Sequence, residues 1–157
     1  PIYSPLKGRG KRKIQRLPIR EGLWAYLDGR EDQPRLLGHR CLRCGEVFFP
    51  RKENHICTHC QSQDLEEILL GPTGKIYSCT VVMRKPPVDY KGEVPYGLGY
   101  VELPEGIRVE TLFTGCNLEE LRPGMEVELV IDTLHVDEEG NEIITYKFRP
   151  AAPLKGK

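Results

Sequence analysis

The chain has 157 residues, 39% of them apolar and 29% charged, enough for one compact domain or for two small ones of which at least one needs reinforcement beyond its apolar core. No apolar run approaches the roughly 18 residues of a membrane span and no secretory h-region is visible, so the composition points to a soluble, cytoplasmic protein. Net charge is zero, yet residues 1–20 carry seven basic side chains and no acid, leaving 16 basic against 23 acidic ones over 21–157.

Residues 1–19 therefore read as a basic N-terminal arm. Pro5, Gly8, Gly10 and Pro18 discourage regular structure there, and the cations suit phosphates or an acidic partner surface. Residues 20–37 read as a short helix and linker: Leu23, Trp24 and Leu27 fall at i, i+1 and i+4, and Gly29 supplies a stop. A helix this short does not persist alone in water, so it docks on its own chain or on a partner, with Trp24 as its anchor.

Residues 38–70 hold the strongest local signal, C-L-R-C-G-E-V-F-F-P-R-K-E-N-H-I-C-T-H-C. Cys41/Cys44 and Cys57/Cys60 are two Cys-x-x-Cys knuckles around a twelve-residue loop, the spacing of a zinc ribbon in a reducing compartment rather than of a disulfide framework. Gly45 suits the positive φ that follows a knuckle. His55 and His59 crowd the second knuckle, but four cysteines already complete a tetrahedral set, which leaves both as exposed loop imidazoles. A closed four-thiolate site has no open position for chemistry, so the Zn2+ is structural and supplies folding free energy.

The turn-rich Gly71-Pro-Thr-Gly74 opens residues 71–150, where the pattern has period two. In K-I-Y-S-C-T-V-V-M-R, strict alternation places Tyr77, Cys79, Val81 and Met83 on one face and Ile76, Ser78, Thr80 and Val82 on the other. P-Y-G-L-G-Y-V-E-L (95–103) and I-R-V-E-T-L-F-T (107–114) form a hairpin across Pro104-Glu-Gly106. Asn117 to Gly124 reads as one helical turn with Asn117 as N-cap. Strands at 126–134, with Val127, Leu129 and Ile131 inward, and at 142–148, with Ile144, Tyr146 and Phe148 inward, complete the set. Five strands with a brief helical segment between the third and fourth is the order of an OB-fold barrel. The fold expected is thus mainly β: a short helix and a rubredoxin-like zinc ribbon, then a five-stranded OB barrel, then a tail at 151–157.

No nucleophile elbow, phosphate loop, dinucleotide fingerprint or carboxylate pair is present. Cys79 lies inside an apolar strand and Cys116 at a strand end with no activating base evident, so a thiol enzyme is the weakest reading. Ribbon plus OB barrel also suits a nucleic-acid-binding protein, with Tyr96 and Tyr100 available for stacking. Charge argues against it: residues 71–157 hold 10 basic and 14 acidic side chains, whereas a phosphate-tracking groove is cationic.

The C-L-R-C-G and I-C-T-H-C knuckles, the boundary G-P-T-G-K-I-Y-S-C-T-V-V, the strand P-Y-G-L-G-Y-V-E-L, the segment L-E-E-L-R-P-G-M-E-V-E-L and the terminal Y-K-F-R-P together resemble the small zinc-ribbon/OB-fold proteins that accompany thiolases and related acyl-CoA condensing enzymes. The likeness covers about residues 20–150, and the arm before residue 20 departs from the usual pattern. It implies a non-catalytic subunit in a hetero-oligomer with a thiolase-like catalytic subunit, helping to assemble the complex and to complete the CoA-thioester site. A subtype acting on aromatic acyl-CoA thioesters, as benzoylsuccinyl-CoA thiolase does, falls within the resemblance. On that basis Arg84 and Lys85 are candidate cations for the anionic end of acyl-CoA. Gly97 and Gly99, on one strand face, are candidates for close approach of its thin arm. Trp24, Tyr90 and Tyr96 are candidate aromatic anchors for the partner.

Overall fold

The computed structural model describes residues 13–86 and 90–151; most of the basic arm (1–12), residues 87–89 and the tail from 152 lie outside that range. Among the described residues there are ten strands, two 3-10 turns and no α-helix. None of it is long and apolar enough as a helix to cross a membrane.

The alternating half of the chain folds as β6 (Thr73–Val82), β7 (Tyr96–Glu102), β8 (Arg108–Phe113), β9 (Glu126–Val136) and β10 (Glu142–Pro150). Antiparallel ladders join β6 to β7, β7 to β8, β10 to β9 and β9 back to β6, and one parallel pair, Phe113 with Phe148, closes β8 onto β10. That closed order is the OB connectivity. Inward residues Val101, Val109, Val127 and Phe148 are almost completely buried, as period-two alternation demands. The tight turn between β7 and β8 works as the sequence indicates: Gly106 takes φ +83 and donates to Leu103 O at 2.9 Å.

Strict alternation fails in β9, where Leu134 is skipped between the partners of Ile143 and Ile144, and in β6. The register slips between Ile76 and Ser78, so Tyr77 is the extra residue of a bulge. Ile76 is buried opposite Val101, while Cys79 and Val81 pair with Gly99 and Gly97. Tyr77 is turned to solvent under the Arg108 guanidinium, 3.6 Å from the ring centroid. Ile76 and Cys79 thus face the core together, which a regular two-residue period forbids.

The expected helix at 20–29 is replaced by a hairpin. β2 (Trp24–Tyr26) pairs antiparallel with β3 (Pro34–Cys41), Trp24 opposite Leu36, and Leu27–Gly29 forms only a 3-10 turn with Asp28 at φ +52 and Gly29 at φ +71. One isolated helical turn leaves most of its backbone groups without partners, whereas β3 offers a ladder. The turn at Leu118–Glu120 is likewise 3-10, and Asn117 makes no side-chain cap there; its carbonyl accepts from Glu120 N at 2.9 Å. The arm contributes structure where extended chain was not expected: β1 (Arg16–Pro18) runs parallel to β10 from Glu142 to Ile144.

β3 is the spine of the ribbon. It pairs with β4 (Val47–Phe48) and with β5 (Leu65–Leu69), the latter a strand that carried no alternation signal. Ribbon and barrel share one apolar core, since Leu36 on β3 and Leu70 after β5 are both fully buried in the cluster that holds Val127 and Phe148. Phe49 packs edge-on against Tyr146 at 5.4 Å, and Gly71 N donates to Glu105 Oε1 at 2.7 Å across the junction.

Candidate metal centre and ligand groove

Each Cys-x-x-Cys knuckle is built by a backbone turn that presents two sulfurs. Gly45 N donates to Cys41 O at 2.9 Å with Gly45 at φ +79, and Gln61 N donates to Cys57 O at 2.8 Å with Gln61 at φ +63. The β3–β5 and β3–β4 ladders bring the knuckles face to face. The four Sγ atoms lie within 4.8 Å of one another, with Cys41–Cys60 and Cys44–Cys57 both at 3.6 Å. A regular tetrahedron of ~2.3 Å Zn–S bonds has edges of ~3.8 Å, so the cage has the size of a tetrathiolate zinc site. His55 and His59 are exposed and outside this set.

The thiols also show why a cation belongs there. The Cys44 N–H holds Cys41 down to about 6, and burial and the other thiols add to the contest within the cluster. For Cys44 the Glu46 N–H favours the thiolate, but burial and the three neighbouring thiols outweigh it and push the group up to about 12. Four sulfurs this close do not all ionise side by side without a positive centre. A bound Zn2+ would supply that charge and pin the knuckles together.

His39, two residues before the first ligand, escaped the sequence reading. It is almost fully buried on β3 and accepts from Lys52 N at 3.1 Å through Nδ1, anchoring the loop that leads to the second knuckle. Burial first, then His55 and Arg51, lower its pKa against the opposing pull of Glu67. Arg51 pairs with Glu67 and Arg20 with Glu53 (2.6 Å), which ties the same loop to β5 and to the segment before β2.

Residues 90–95, the end of β8 and the far half of the β9–β10 hairpin enclose an open groove of about 660 Å³. Tyr90 and Tyr96 stack at its mouth, ring centroids 4.4 Å apart, with the Tyr90 hydroxyl donating to Glu93 O at 2.9 Å. Phe113, Leu118 and Leu134 give it apolar walls. Its inner end is polar: Lys147 Nζ reaches Asp132 Oδ2 at 3.1 Å and Thr133 O at 3.0 Å, and Thr114 Oγ1 donates to the same carboxylate at 3.3 Å. Burial would raise the Asp132 pKa, but the Lys147 hydrogen bond and charge prevail and hold it below the usual carboxylate value. Cys116 also lines the groove, its thiol pushed up by burial and then by Glu120.

The candidate residues fall into separate places. Tyr90 and Tyr96 come together, as just described. Arg84 and Lys85 are exposed on the segment that leads to them. Gly97 and Gly99 are buried: a Cβ on Gly99 would collide with Ser78 O and lie 2.8 Å from Cys79 Cα, and one on Gly97 would press on Leu121, Leu118 and Phe113. The space beside both is filled by the chain itself. Trp24 sits on the ribbon side, half-buried against the shared core and lining a second cleft with Arg16, Arg20, Tyr26 and Ile144.

The ChsH2 rubredoxin-like zinc ribbon domain family matches residues 29–66, and the ChsH2 C-terminal OB-fold domain family matches 67–132. A DUF35 domain-containing scaffold protein of Methanocaldococcus jannaschii is 39% identical over 119 residues, 73% of this chain and 81% of that one. The chain belongs to the DUF35 zinc-ribbon/OB-fold family. Another relative is the benzoylsuccinyl-CoA thiolase subunit BbsA of Thauera aromatica, 34% identical over 128 residues, 81% of this chain and 83% of that one. Among solved structures, the Ltp2-ChsH2(DUF35) aldolase has a chain superposing with a TM-score of 0.58 at 34% identity, covering 75% of this chain and 86% of its own. In all three cases the likeness is long enough to span ribbon and barrel together rather than the cysteines alone.

Proposed function

We propose that this chain is a non-catalytic, zinc-containing subunit that joins a thiolase-type catalytic subunit and completes its CoA-thioester binding site. The observation that carries this reading is the similarity to a benzoylsuccinyl-CoA thiolase subunit along 83% of that subunit's length. The four-sulfur cage supports it, because a tetrathiolate zinc leaves no position for substrate and acts as a rivet. In this reading Arg84 and Lys85 meet the anionic end of the thioester. Trp24 is an aromatic anchor for the partner, joined by Tyr90 and Tyr96 at the groove mouth. Gly97 acts from behind, leaving Phe113 and Leu118 room to seat in the groove wall, while Gly99 lets β6 and β7 approach.

The test is co-expression with a thiolase encoded beside this chain, followed by size exclusion at high salt and a thiolysis assay. The reading requires a complex that survives salt and an activity that needs both chains. Turnover by this chain alone, or a steeply salt-dependent grip on oligonucleotides in place of a complex, would overturn it in favour of an enzyme or a nucleic-acid-binding protein.

A further inference from the structure

A cavity of about 230 Å³ opens on the ribbon among β3, β5, the loop at 50–55 and the residues just before β2, and none of the four cysteines lines it. His39 is the decisive residue. It lines the cavity at only 4% exposure, and its Nδ1 accepts from Lys52 N at 3.1 Å. A neutral imidazole that accepts at Nδ1 carries its proton on Nε2, and this Nε2–H has no hydrogen-bond partner among the described residues. A donor so deep is costly to leave unmatched, so it calls for an acceptor in the cavity. The same tautomer rules out a metal, since neither nitrogen has a lone pair to spare.

Arg51 is seated beside it in advance. Its Nη1 donates to Glu67, and its Nη2 lies over the backbone of Gly22, where a Cβ would collide with it. Gly22 stands at φ +78, so glycine serves both the turn and the seat of the guanidinium. Charge then sets the valence of the ligand. Glu67 and Glu53 each already face an arginine, Arg51 and Arg20. Lys52 is half-buried over the Phe48 ring at 5.3 Å and has no carboxylate partner among the described residues, while Glu21 is exposed at the rim. One negative charge is therefore matched, whereas a dianion such as phosphate would sit among three carboxylates. A carboxylate is planar and offers two acceptor oxygens, one for the His39 N–H and one for the guanidinium fork. It is also small enough for a cavity below the roughly 300–1,000 Å³ that whole small-molecule ligands occupy.

We propose that this ribbon cavity binds a single carboxylate group, which accepts from the His39 Nε2–H and from the Arg51 guanidinium. The group is carried by a small free acid or by an Asp or Glu side chain of a partner chain; the chemistry of recognition is the same. The site stands independently of the thiolase-type reading and of the groove on the barrel.

The test uses the full, zinc-loaded chain at fixed pH, with chloride holding the ionic strength constant. Acetate should shift the NMR signals of the His39 ring, the Lys52 amide and the Arg51 Nε–H saturably, with half-saturation at about 20 mM or below. Acetamide, of the same shape without the charge, and inorganic phosphate should each bind at least about fivefold more weakly. His39→Asn places an amide oxygen where Nδ1 was, so Lys52 N keeps an acceptor while the cavity loses its donor. Acetate affinity should then fall about tenfold with the barrel signals unmoved. Arg51→Lys keeps a charge opposite Glu67 but loses the fork, and should weaken acetate about fivefold; it carries the test if His39→Asn does not fold. A blocked tripeptide, acetyl-Gly-Glu-Gly-amide, separates the two sources: tighter binding than acetate marks a partner's side chain, weaker binding marks a free acid, and both uphold the site. No saturable shift with acetate or the tripeptide up to about 100 mM overturns the assignment, because it leaves less than about 1.4 kcal/mol for two charge-assisted hydrogen bonds. So does acetamide or phosphate bound as tightly as acetate, or a pair of folded variants that bind acetate as the unaltered chain does.

Discussion

Leu36→Ala probes the claim that ribbon and barrel are one folding unit. Leu36 belongs to β3, the spine of the ribbon, yet is fully buried in the cluster that contains Val127 and Phe148 of the barrel. Truncating a fully buried leucine costs about 2–5 kcal/mol, and a value of about 3 kcal/mol fits a seam where three ladders limit collapse of the cavity. For a chain of this length each kcal/mol moves Tm by about 2–4 °C, so the zinc-loaded variant should melt about 6–12 °C lower. Two probes separate the modules. Trp24, the only tryptophan, reports on the ribbon side by fluorescence, and hydrogen exchange at Val101, Val109 and Phe148 reports on the barrel. A shared core requires both to lose protection together. If Trp24 emission shifts at the lower temperature while barrel amides exchange as slowly as before, the two modules fold independently and the reasoning fails.

Three further outcomes follow from the same geometry. Chelation of zinc at neutral pH should collapse the ribbon, because a tetrathiolate site contributes on the order of 10–16 kcal/mol, and should expose Cys41, Cys44, Cys57 and Cys60 to thiol reagents; unchanged Trp24 emission in metal-free protein would contradict this. Gly99→Ala drives a methyl into the β6 backbone at Ser78 and Cys79 and should cost about 1–3 kcal/mol in urea unfolding, whereas full stability would mean that the strands separate easily there. Tyr146 has its pKa raised to about 12, by burial and then by Glu110, and donates to Glu110 O at 3.0 Å. The neutral phenol is the form favoured in the fold, so its contribution is complete below the unfolded value near 10 and fades as pH climbs towards about 12. Tyr146→Phe should cost about 1 kcal/mol at pH 7 and flatten the alkaline loss of stability; an identical alkaline profile would show that Tyr146 is not the titrating group.

The zinc ligands, the closed barrel and the inward positions Val127, Leu129, Tyr146 and Phe148 were legible along the chain because each rests on local spacing: two residues between sulfurs, and alternation in a strand. The 20–29 segment misled for the converse reason. Leu23, Trp24 and Leu27 match a helical face, but three residues carry little conformational preference, and an open ladder on β3 decided their state. The bulge at Tyr77 was invisible because an extra residue is defined by the partner strand, not by its own.

Alone, then, the order of residues determined the metal cage and the kind of barrel, since both are written in short-range periodicity. Only the folded chain decided that Leu36 and Leu70 belong to the barrel's core, that Gly97 and Gly99 face their own neighbours, and that Thr114, Asp132, His135 and Lys147 meet in one groove. Those groups are brought together by strand register and barrel closure, which are collective choices of minimum buried cost and leave no mark at any single position.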